Sequence, residues 1–281
     1  MSNSQKLNST IKEIEKILEA RRPNPNWDAI EIARRTLGTS RQEIILNLGV
    51  MSISNNDSDK MIEIAIKVSA GFPLEYALGV TSFLGIDIKV TSDVLIPRPD
   101  TETLVLETEK IINGGVFKLI DVCTGSGCIA IALKKRNPQC EVTATDISPY
   151  CLNIAKKNAA LNNTDINFLQ ADLTNNIKGK FDIITCNPPY IPTKEIPLLE
   201  KEISYEPISA LDGGEDGLQY YRRLSLSIPD VLSEDGFAII EVDCPENETA
   251  KKLEKIFENY SFCFVPDISG NKRALKLWRK K

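Results

Sequence analysis

The spacing of apolar residues changes near residue 71 and divides the chain into two regions. Before that point apolar side chains recur at helical spacing, as in Ile11, Ile14 and Leu18, and no strand-like alternation interrupts them. The pattern predicts short helices around 11–18, over 25–37, from the capping pair at 39–40 to 46, and from 59 onward. We therefore expect residues 1–78 to form a small all-α domain, which serves either packing and dimerisation or the docking of a substrate.

The second region opens with a β-hairpin pattern. Residues 80–84 and 86–90 alternate between apolar and polar positions on either side of Gly85. Alternation around a glycine is typical of two short antiparallel strands joined by a tight turn. We therefore predict a hairpin linker over residues 79–97.

A rigid connector follows the hairpin. Pro97 and Pro99 hold the chain extended, and Asp100 or Thr101 can cap the helix that comes next. The connector therefore places Arg98 at a fixed position beside the next domain. Its guanidinium would serve either the functional site or an ion pair at the surface.

Strand and helix patterns alternate through the rest of the chain. The predicted strands lie at 118–122, 141–145, 166–169, 181–186, 237–242, 262–265 and 274–278, and the predicted helices at 129–133, from 148 onward, 217–232 and 250–257. Repeated βα units predict an α/β domain over residues 98–281, with a mostly parallel seven-stranded sheet between two layers of helices. The last two strands flank Gly270 and predict an antiparallel pair at one edge.

The composition is that of an ordinary globular protein. The chain has 281 residues, of which 42% are hydrophobic and 26% charged, and its net charge is -5. An acidic chain does not suit a protein that grips long stretches of phosphate backbone. No apolar run approaches the roughly 20 residues of a membrane span, and the acidic N-terminus suits neither a secretory nor a transit peptide. We expect a cytoplasmic protein with no membrane partner and no direct nucleic-acid partner.

The counts of cysteine and histidine exclude several kinds of chemistry. There are seven Cys and no His, and no two Cys are spaced C-x-x-C, so we expect no metal site. The Cys positions are 123, 128, 140, 151, 186, 244 and 263. Most of these thiols should be small buried apolar groups in a reducing compartment. The lack of His also excludes Ser-His-Asp and Cys-His nucleophiles.

A glycine turn follows the first long strand of the α/β domain. Gly125 to Ala130 fits G-x-G-x-x-A, a spacing typical of nucleotide-binding turns, and the helix behind it offers free N–H groups. Asp146 ends the next strand, where a carboxylate can accept both hydroxyls of a ribose. Asp172 and Leu173 follow the third strand, where an adenine ring would lie or a helix cap would form. A nicotinamide dehydrogenase would share these features, but Asp121 at the strand end suits a cationic amino-acid tail better than a pyrophosphate.

The tetrapeptide Asn187-Pro188-Pro189-Tyr190 ends a buried strand. The side-chain oxygen of Asn187 and the carbonyl of Pro188 are acceptors that can converge on one NH₂ group, and the ring of Tyr190 offers a flat face. This arrangement favours a planar nitrogen presented to an electrophile. A dehydrogenase has no evident use for it, and the alternative without chemistry is a rigid proline turn, as in a helical adaptor that carries a silent cofactor fold.

Together with the glycine turn and the tetrapeptide, four further motifs make the chain resemble the peptide chain release factor glutamine methyltransferases. These are S-adenosylmethionine-dependent enzymes of the Rossmann-like class. The motifs lie at 71–79, 95–102, 205–211 and 213–218, and Arg98-Pro99-Asp100-Thr101-Glu102 is the most specific part. The resemblance implies transfer of a methyl group to the side-chain amide nitrogen of the Gln in a Gly-Gly-Gln motif of release factors. It implies cofactor contacts at Cys123, Thr124, Gly125, Ser126, Gly127, Asp146, Leu173 and Asn187. It also implies that Asn187, Pro188, Pro189 and Tyr190 hold the substrate Gln, with catalysis resting on Asn187, Pro188 and Tyr190.

Three departures from the family pattern concern the cofactor and leave the residues that hold the Gln intact. Cys123 stands where Gly is more common, so its backbone must take a conformation that a side chain tolerates. Leu173 replaces an aromatic residue, and 241–244 replaces a Glu-x-Gly stretch.

The closest rival function is glutamine methylation of a large-subunit ribosomal protein, an enzyme that lacks the 98–102 run. A DNA adenine methyltransferase shares the tetrapeptide, but this acidic chain has no basic, aromatic-interleaved recognition region. We expect a monomer whose partners are release factors.

Overall fold

The computed structural model describes residues 4–243, 247–267 and 269–280, and the chain divides into two compact units. The first unit comprises Met1–Gly79 together with Glu200–Tyr205, and the second comprises Val80–Leu199 and Glu206–Lys281. Cys244 lies outside the described residues.

The first unit is built from short helices around one apolar core. Its elements are β1 (Ser4–Lys6), α1 (Leu7–Leu18), α2 (Pro25–Leu37), α3 (Arg41–Asn47), β2 (Ser52–Ser54), α4 (Asn55–Ser69) and α5 (Leu74–Leu78). The core includes Ile14, Ile32, Ile44 and Met61, none of them exposed to solvent. The sequence predicted the first four helices but not α5.

Two details of this unit differ from the all-α expectation. The strands β1 and β2 pair antiparallel, and each is only three residues long, which is too short for an alternation to show in the sequence. The helix α4 begins before the predicted Asp59, because the Ser54 hydroxyl caps it by accepting from the Asp57 N–H at 3.1 Å. The unit is thus helical with a small two-stranded sheet.

A segment from far along the chain completes the first unit. The Glu202 carboxylate accepts from the Arg22 guanidinium at 3.0 Å, and the Lys201 ammonium donates to the Ala70 carbonyl at 2.9 Å. The rings of Phe72 and Tyr205 meet edge to face with centroids 5.1 Å apart. These contacts explain why Glu200–Tyr205 groups with the helices rather than with its neighbours in sequence.

The second unit opens with the predicted hairpin, β3 (Val80–Phe83) and β4 (Ile86–Lys89), paired antiparallel. Leu84 and Gly85 make the turn with φ of 48° and 75°, the left-handed backbone that two-residue hairpin turns require.

A seven-stranded sheet forms the centre of this unit. Its strands are β5 (Lys118–Val122), β6 (Glu141–Asp146), β7 (Asn167–Gln170), β8 (Phe181–Cys186), β9 (Leu232–Glu241), β10 (Tyr260–Pro266) and β11 (Lys272–Arg279). Its helices are α6 (Glu102–Ile112), α7 (Cys128–Arg136), α8 (Pro149–Leu161), α9 (Gln219–Val231) and α10 (Asn247–Ile256). The fold is the predicted Rossmann-like α/β fold.

The strand order of the sheet is β10-β11-β9-β8-β5-β6-β7. Of these seven strands only β11 runs against the others, because it pairs antiparallel with both β10 and β9 while the remaining pairs are parallel. The closing pair is thus antiparallel, as predicted, with β11 inserted inside the edge strand β10. The order reverses between β5 and β8, and open α/β sheets bind ligands in the crevice at such a switch point.

Capping at two helices shows how the sequence sets the loops. Ser148 caps α8, as predicted, by accepting from the Cys151 N–H at 3.3 Å, and Pro149 occupies the first turn. At α6 the prediction was a cap by Asp100 or Thr101. Thr101 sits at the cap position, but its hydroxyl makes no capping bond and accepts from the Asn187 amide instead. Through the described ranges no helix combines the length and the apolar character that crossing a bilayer demands.

Candidate active site

A cavity opens at the carboxyl edge of the sheet in the second unit. It encloses about 1050 Å³ of space, a figure that includes open solvent at its mouth. Its lining comes from the connector before α6, the loops after β5, β6, β7 and β8, the segment 207–210 and the start of α9. The predicted site residues that line it are Cys123, Thr124, Gly125, Ser126, Asp146, Leu173, Asn187 and Pro189.

The glycine turn after β5 forms the floor of the cavity. Cys123 takes φ of 59°, so the chain adopts a left-handed conformation there despite its side chain. At Gly125 a Cβ would meet nothing within 4 Å, which leaves the backbone open toward the cavity. At Gly127, with φ of 84°, a Cβ would lie 3.0 Å from that of Ala155, so this glycine allows α7 and α8 to pack and does not itself line the cavity.

Asp146 braces this turn from the end of β6. Its carboxylate accepts from the Gly125 N–H at 2.8 Å and from the Ser148 N–H at 2.9 Å. Burial raises the pKa of Asp146, while the two backbone N–H groups act in the opposite direction. Each carboxylate oxygen has a second lone pair, so Asp146 can still accept from ligand hydroxyls inside the cavity.

The expectation that Asp121 faces a cationic tail is wrong. Asp121 is 1% exposed and does not line the cavity. Its two oxygens accept from the hydroxyls of Thr124 at 2.6 Å and Thr185 at 2.8 Å. Burial raises its pKa to about 7. Asp121 therefore supports the glycine turn from below.

Asp172 and Leu173 form one wall of the cavity. Leu173 is 5% exposed and takes φ of 55°, which presents an apolar surface beside the turn. The Asp172 carboxylate accepts from the Arg223 guanidinium at 2.6 Å, and that guanidinium lies 5.6 Å from the ring centre of Tyr220. The sequence predicted α9 but indicated no role for Tyr220 and Arg223, because a helical pattern does not reveal what the first turn of the helix faces.

Asn187 stands at the end of β8, next to the glycine turn. Val122 and Cys186 are register partners on the neighbouring strands β5 and β8, so the turn and the tetrapeptide begin side by side. The Asn187 amide nitrogen donates to the Thr101 hydroxyl at 3.3 Å. Its side-chain oxygen thus remains the acceptor that Asn187 can offer inside the cavity.

The rest of the tetrapeptide is held by a glycine-rich segment. Ile191 N–H donates to the Leu211 carbonyl at 3.0 Å, and the Gly213 N–H donates back to Ile191 at 2.8 Å. A Cβ at Gly213 would lie 2.7 Å from the Tyr190 Cα, and one at Gly217 would lie 2.4 Å from the Tyr190 carbonyl oxygen. Both positions therefore require glycine, which accounts for the 213–218 motif.

Pro188 and Tyr190 do not line the cavity, whereas Pro189 does. Tyr190 packs against the large apolar core of the second unit, and burial raises the pKa of its phenol. The roles of Pro188 and Tyr190 in substrate binding stay predictions.

Arg98 forms an ion pair inside the connector. Its guanidinium donates to the carboxylate of Glu206, which is 5% exposed and also accepts from the Ile96 N–H at 3.2 Å. Arg98 itself also lines the cavity. The Glu206 carboxylate therefore ties the 95–98 connector to the 206–210 segment, a role that the sequence motif did not reveal.

Asn158 in α8 is a second residue whose role the sequence did not reveal. It is fully buried, and its amide both accepts from the Lys89 N–H at 2.8 Å and donates to the Lys89 carbonyl at 2.9 Å. It also donates to the Ser126 carbonyl at 2.9 Å. One side chain thus joins the hairpin to the glycine turn, a role that no pattern in the sequence of α8 indicated.

Known proteins share both the sequence and the fold of this chain. Residues 100–206 match the methyltransferase small domain family. The chain is 40% identical to a release factor glutamine methyltransferase of Thermodesulfovibrio yellowstonii, over 74% of this chain and 77% of the relative. It is 32% identical to the enzyme of that name from Deinococcus radiodurans, over 92% of both. A crystal structure of a methyltransferase from Pyrococcus furiosus shares the fold, with a TM-score of 0.55 and 18% identity over 81% of this chain and all of that one.

The cavity residues fit S-adenosylmethionine, which supplies an activated methyl group when bound. The space above Gly125 admits a ligand against the backbone, Asp146 keeps acceptor capacity for ribose hydroxyls, and Leu173 offers an apolar wall for a base. With the similarities above, these features show that the chain belongs to the release factor glutamine methyltransferase family and is an S-adenosylmethionine-dependent enzyme.

Proposed function

We propose that this protein methylates the side-chain amide nitrogen of the Gln in the Gly-Gly-Gln motif of peptide chain release factors. The observation that carries the proposal is the position of Asn187, which lies beside the cofactor turn with its amide nitrogen already bonded to Thr101. The release factor glutamine methyltransferases that share 32–40% identity with this chain support the choice of substrate.

The chain's own residues account for how an amide nitrogen is made reactive. A Gln amide is a poor nucleophile because its lone pair is delocalised into the carbonyl. The side-chain oxygen of Asn187 and the carbonyl of Pro188 are acceptors for its two N–H groups, and bonding to both favours the pyramidal nitrogen reached in attack. Cys123 to Ser126, Asp146 and Leu173 hold the methyl donor alongside, next to Asn187. Alignment of the two reactants is worth roughly 7–11 kcal/mol in well-set intramolecular reactions.

The substrate distinguishes this function from its rivals. We incubate the full chain with labelled S-adenosylmethionine and, in separate reactions, a release factor, a large-subunit ribosomal protein and DNA. Label on the release factor alone supports the proposal. Label on the ribosomal protein or on DNA, with none on the release factor, contradicts it.

We further infer that residues 1–78 dock the protein substrate and that the enzyme acts as a monomer in the cytoplasm, where release factors work. Large apolar side chains on the first unit support the docking role, since Leu46 is 82% exposed and Val50 78% exposed.

Leu46→Lys should raise KM for the release factor and leave cofactor affinity unchanged. Leu226→Lys is the matched control, because Leu226 is 80% exposed on α9 of the second unit; equal effects of the two substitutions would contradict the docking role. A dimer in sedimentation would contradict the monomer.

A further inference from the structure

The β3–β4 hairpin forms a two-stranded sheet of its own, apart from the seven-stranded sheet. A lone two-stranded hairpin is only marginally stable in water. Its order therefore depends on the elements that it packs against. The 95–98 connector follows it in the chain and contributes to the cavity wall, so what holds the hairpin also bears on the cofactor site.

The register of the hairpin leaves the backbone groups of Lys89 and Asp87 facing away from β3. Phe83 and Ile86 flank the two-residue turn, so they form the hydrogen-bonded pair next to it. Hydrogen-bonded and non-hydrogen-bonded pairs alternate from there, and Lys89 and Asp87 fall in non-hydrogen-bonded pairs. Their N–H and C=O groups therefore point outward and need partners from another element.

Two asparagines at the end of α8 supply these partners. Asn158 accepts from the Lys89 N–H at 2.8 Å and donates to the Lys89 carbonyl at 2.9 Å. Asn162 follows four residues later, on the same face, and donates to the Asp87 carbonyl at 3.0 Å. The two side-chain amides thus bond to the outer edge of β4 as a third strand would.

Asn158 also reaches the glycine turn. Its amide nitrogen donates to the Ser126 carbonyl at 2.9 Å. The Gly127 N–H donates to the Thr124 carbonyl at 2.8 Å, so the peptide between Ser126 and Gly127 is held at both ends. Asn158 is fully buried, and its oxygen and both hydrogens of its nitrogen are used. A reversed amide would set its oxygen against two carbonyls, so its orientation is fixed.

The same helix also holds the connector. Cys151 lies seven residues before Asn158 on the same face of α8, and its thiol donates to the Asp93 carbonyl at 3.3 Å. Asp93 lines the cavity beside the glycine turn. One face of α8 therefore attaches to the hairpin, to the chain that leads from it into the connector, and to the turn.

We propose that Asn158 is a positioning residue of the cofactor turn and that it couples S-adenosylmethionine binding to the order of the β3–β4 hairpin. A ligand against the turn restricts the Ser126 carbonyl and, through the Asn158 amide, both backbone groups of Lys89. By reciprocity, a well-held hairpin strengthens cofactor binding by the same factor. Asn158 does not line the cavity, so it acts through the turn without touching the cofactor.

The first measurement uses the wild-type protein. Hydrogen exchange at the backbone amides of Ile88 and Lys89 is followed with and without S-adenosylhomocysteine, the cofactor after loss of its methyl group. We expect the bound ligand to slow exchange at both amides by roughly 3- to 10-fold, the factor that one hydrogen bond is worth. The amides of the β1–β2 pair, the small sheet of the first unit, are the control and should not change.

Asn158→Asp tests this side chain, with Asn162→Asp as the matched control. Both substitutions replace an NH₂ group by oxygen and remove a bond to the hairpin, but only Asn158→Asp also removes the bond to Ser126. We expect the Kd for S-adenosylhomocysteine, measured by calorimetry, to rise roughly 3- to 10-fold in Asn158→Asp and to stay at the wild-type value in Asn162→Asp. The ligand should no longer slow exchange at Ile88 in Asn158→Asp, whereas Asn162→Asp should keep this effect.

Three results would overturn the inference. One is hairpin exchange that is equally fast with and without the ligand. Another is equal slowing in the β1–β2 pair, since that would mean general stabilisation of the protein. The third is an equal Kd for the two variants. The wild-type exchange experiment decides even where Asn158→Asp does not fold, and none of these measurements uses a release factor, so they are independent of the proposed substrate.

Discussion

Val122 and Cys186 are register partners on adjacent parallel strands, and each is followed directly by one half of the proposed active site. The glycine turn that starts at Cys123 leaves β5, and the tetrapeptide that starts at Asn187 leaves β8. Because the strand order reverses between these two strands, their loops diverge and leave a crevice. The proposed donor site and the proposed acceptor site are thus placed together by backbone register rather than by flexible side chains.

In the proposed function, the amide of Asn187 is the group on which methyl transfer depends most. Asn187→Ala removes the acceptor for the substrate N–H but leaves the glycine turn and Asp146 in place. We expect kcat to fall by about 10²-fold or more, as for loss of one preorganised hydrogen-bonding group. Cofactor binding, measured by calorimetry, should be retained. Asn175→Ala, at an exposed position, is the control, and unchanged turnover by Asn187→Ala would reduce the tetrapeptide to a structural turn.

Asp146 should control the affinity for the methyl donor. Each oxygen of the Asp146 carboxylate accepts from one backbone N–H, that of Gly125 or that of Ser148. In Asp146→Asn one of these oxygens becomes an NH₂ group, which donates and cannot accept, so one of the two backbone bonds and an acceptor for a ribose hydroxyl are lost. We expect the Kd for S-adenosylmethionine to rise by about tenfold or more, since one lost hydrogen bond to a charged group costs roughly 1.5–3 kcal/mol. Exposed Asp165→Asn should bind as the wild type does. Equal Kd values for both variants would remove Asp146 from the cofactor site.

The pair of Arg98 and Glu206 should be energetically coupled. Arg98→Met, Glu206→Gln and the double variant form a cycle that is measured by urea unfolding. We expect a coupling of about 1 kcal/mol, at the low end for residues in contact, because the Arg98 side chain is 35% exposed although that of Glu206 is only 2% exposed. Zero coupling would make the pair a weak surface contact. If Arg98→Met lowers kcat/KM by more than its loss of stability can explain, Arg98 contacts the substrate.

Two buried acids make stability depend on pH. Burial raises the pKa of Asp121 to about 7 and that of Glu241 to about 7, against about 4 for such groups in an unfolded chain. The folded state therefore holds protons that the unfolded state releases. The contribution of these two carboxyls to the free energy of unfolding should be largest below about pH 4. It should fall as the pH rises toward about 7, by at most about 1.4 kcal/mol per pH unit for each proton.

Asp121→Asn and Glu241→Gln test this contribution, because an amide does not titrate. Each variant should show a shallower fall of unfolding free energy across that pH range than the wild type. An unchanged slope in both variants would mean that neither carboxyl holds a proton in the folded state.

Local signals in the sequence predicted the regular elements well. The bounds of α2 are those predicted, because Pro25 fits the first turn of a helix and Gly38 ends it with φ of 65°. The strand β9 starts at Leu232, well before the predicted Phe237, because polar residues at its start hid the alternation. Short elements such as β1 and β2 depend on pairing between distant residues, which no local pattern contains.

The sequence predicted those residues of the candidate site that lie at the ends of strands. Asn187, Asp146 and the glycine turn stand at strand ends, and the order of strands brings strand ends together. The partners of Thr101 and Asp121 could not be predicted, because a hydroxyl or carboxylate near the end of a helix or strand can cap a helix, brace a turn or face a ligand. Three-dimensional contacts decide among these uses, and they place Thr101 at Asn187 and Asp121 beneath the turn.

The most direct test of the account is the mass of a release factor before and after incubation with this enzyme and S-adenosylmethionine. We expect the release factor to gain one methyl group, located by fragmentation on the side chain of the Gln in Gly-Gly-Gln. A release factor with that Gln replaced by Ala should gain nothing. A methyl group on any other residue, or equal methylation of the Ala variant, would contradict the central claim that Asn187 and its neighbours present a Gln amide to the methyl donor.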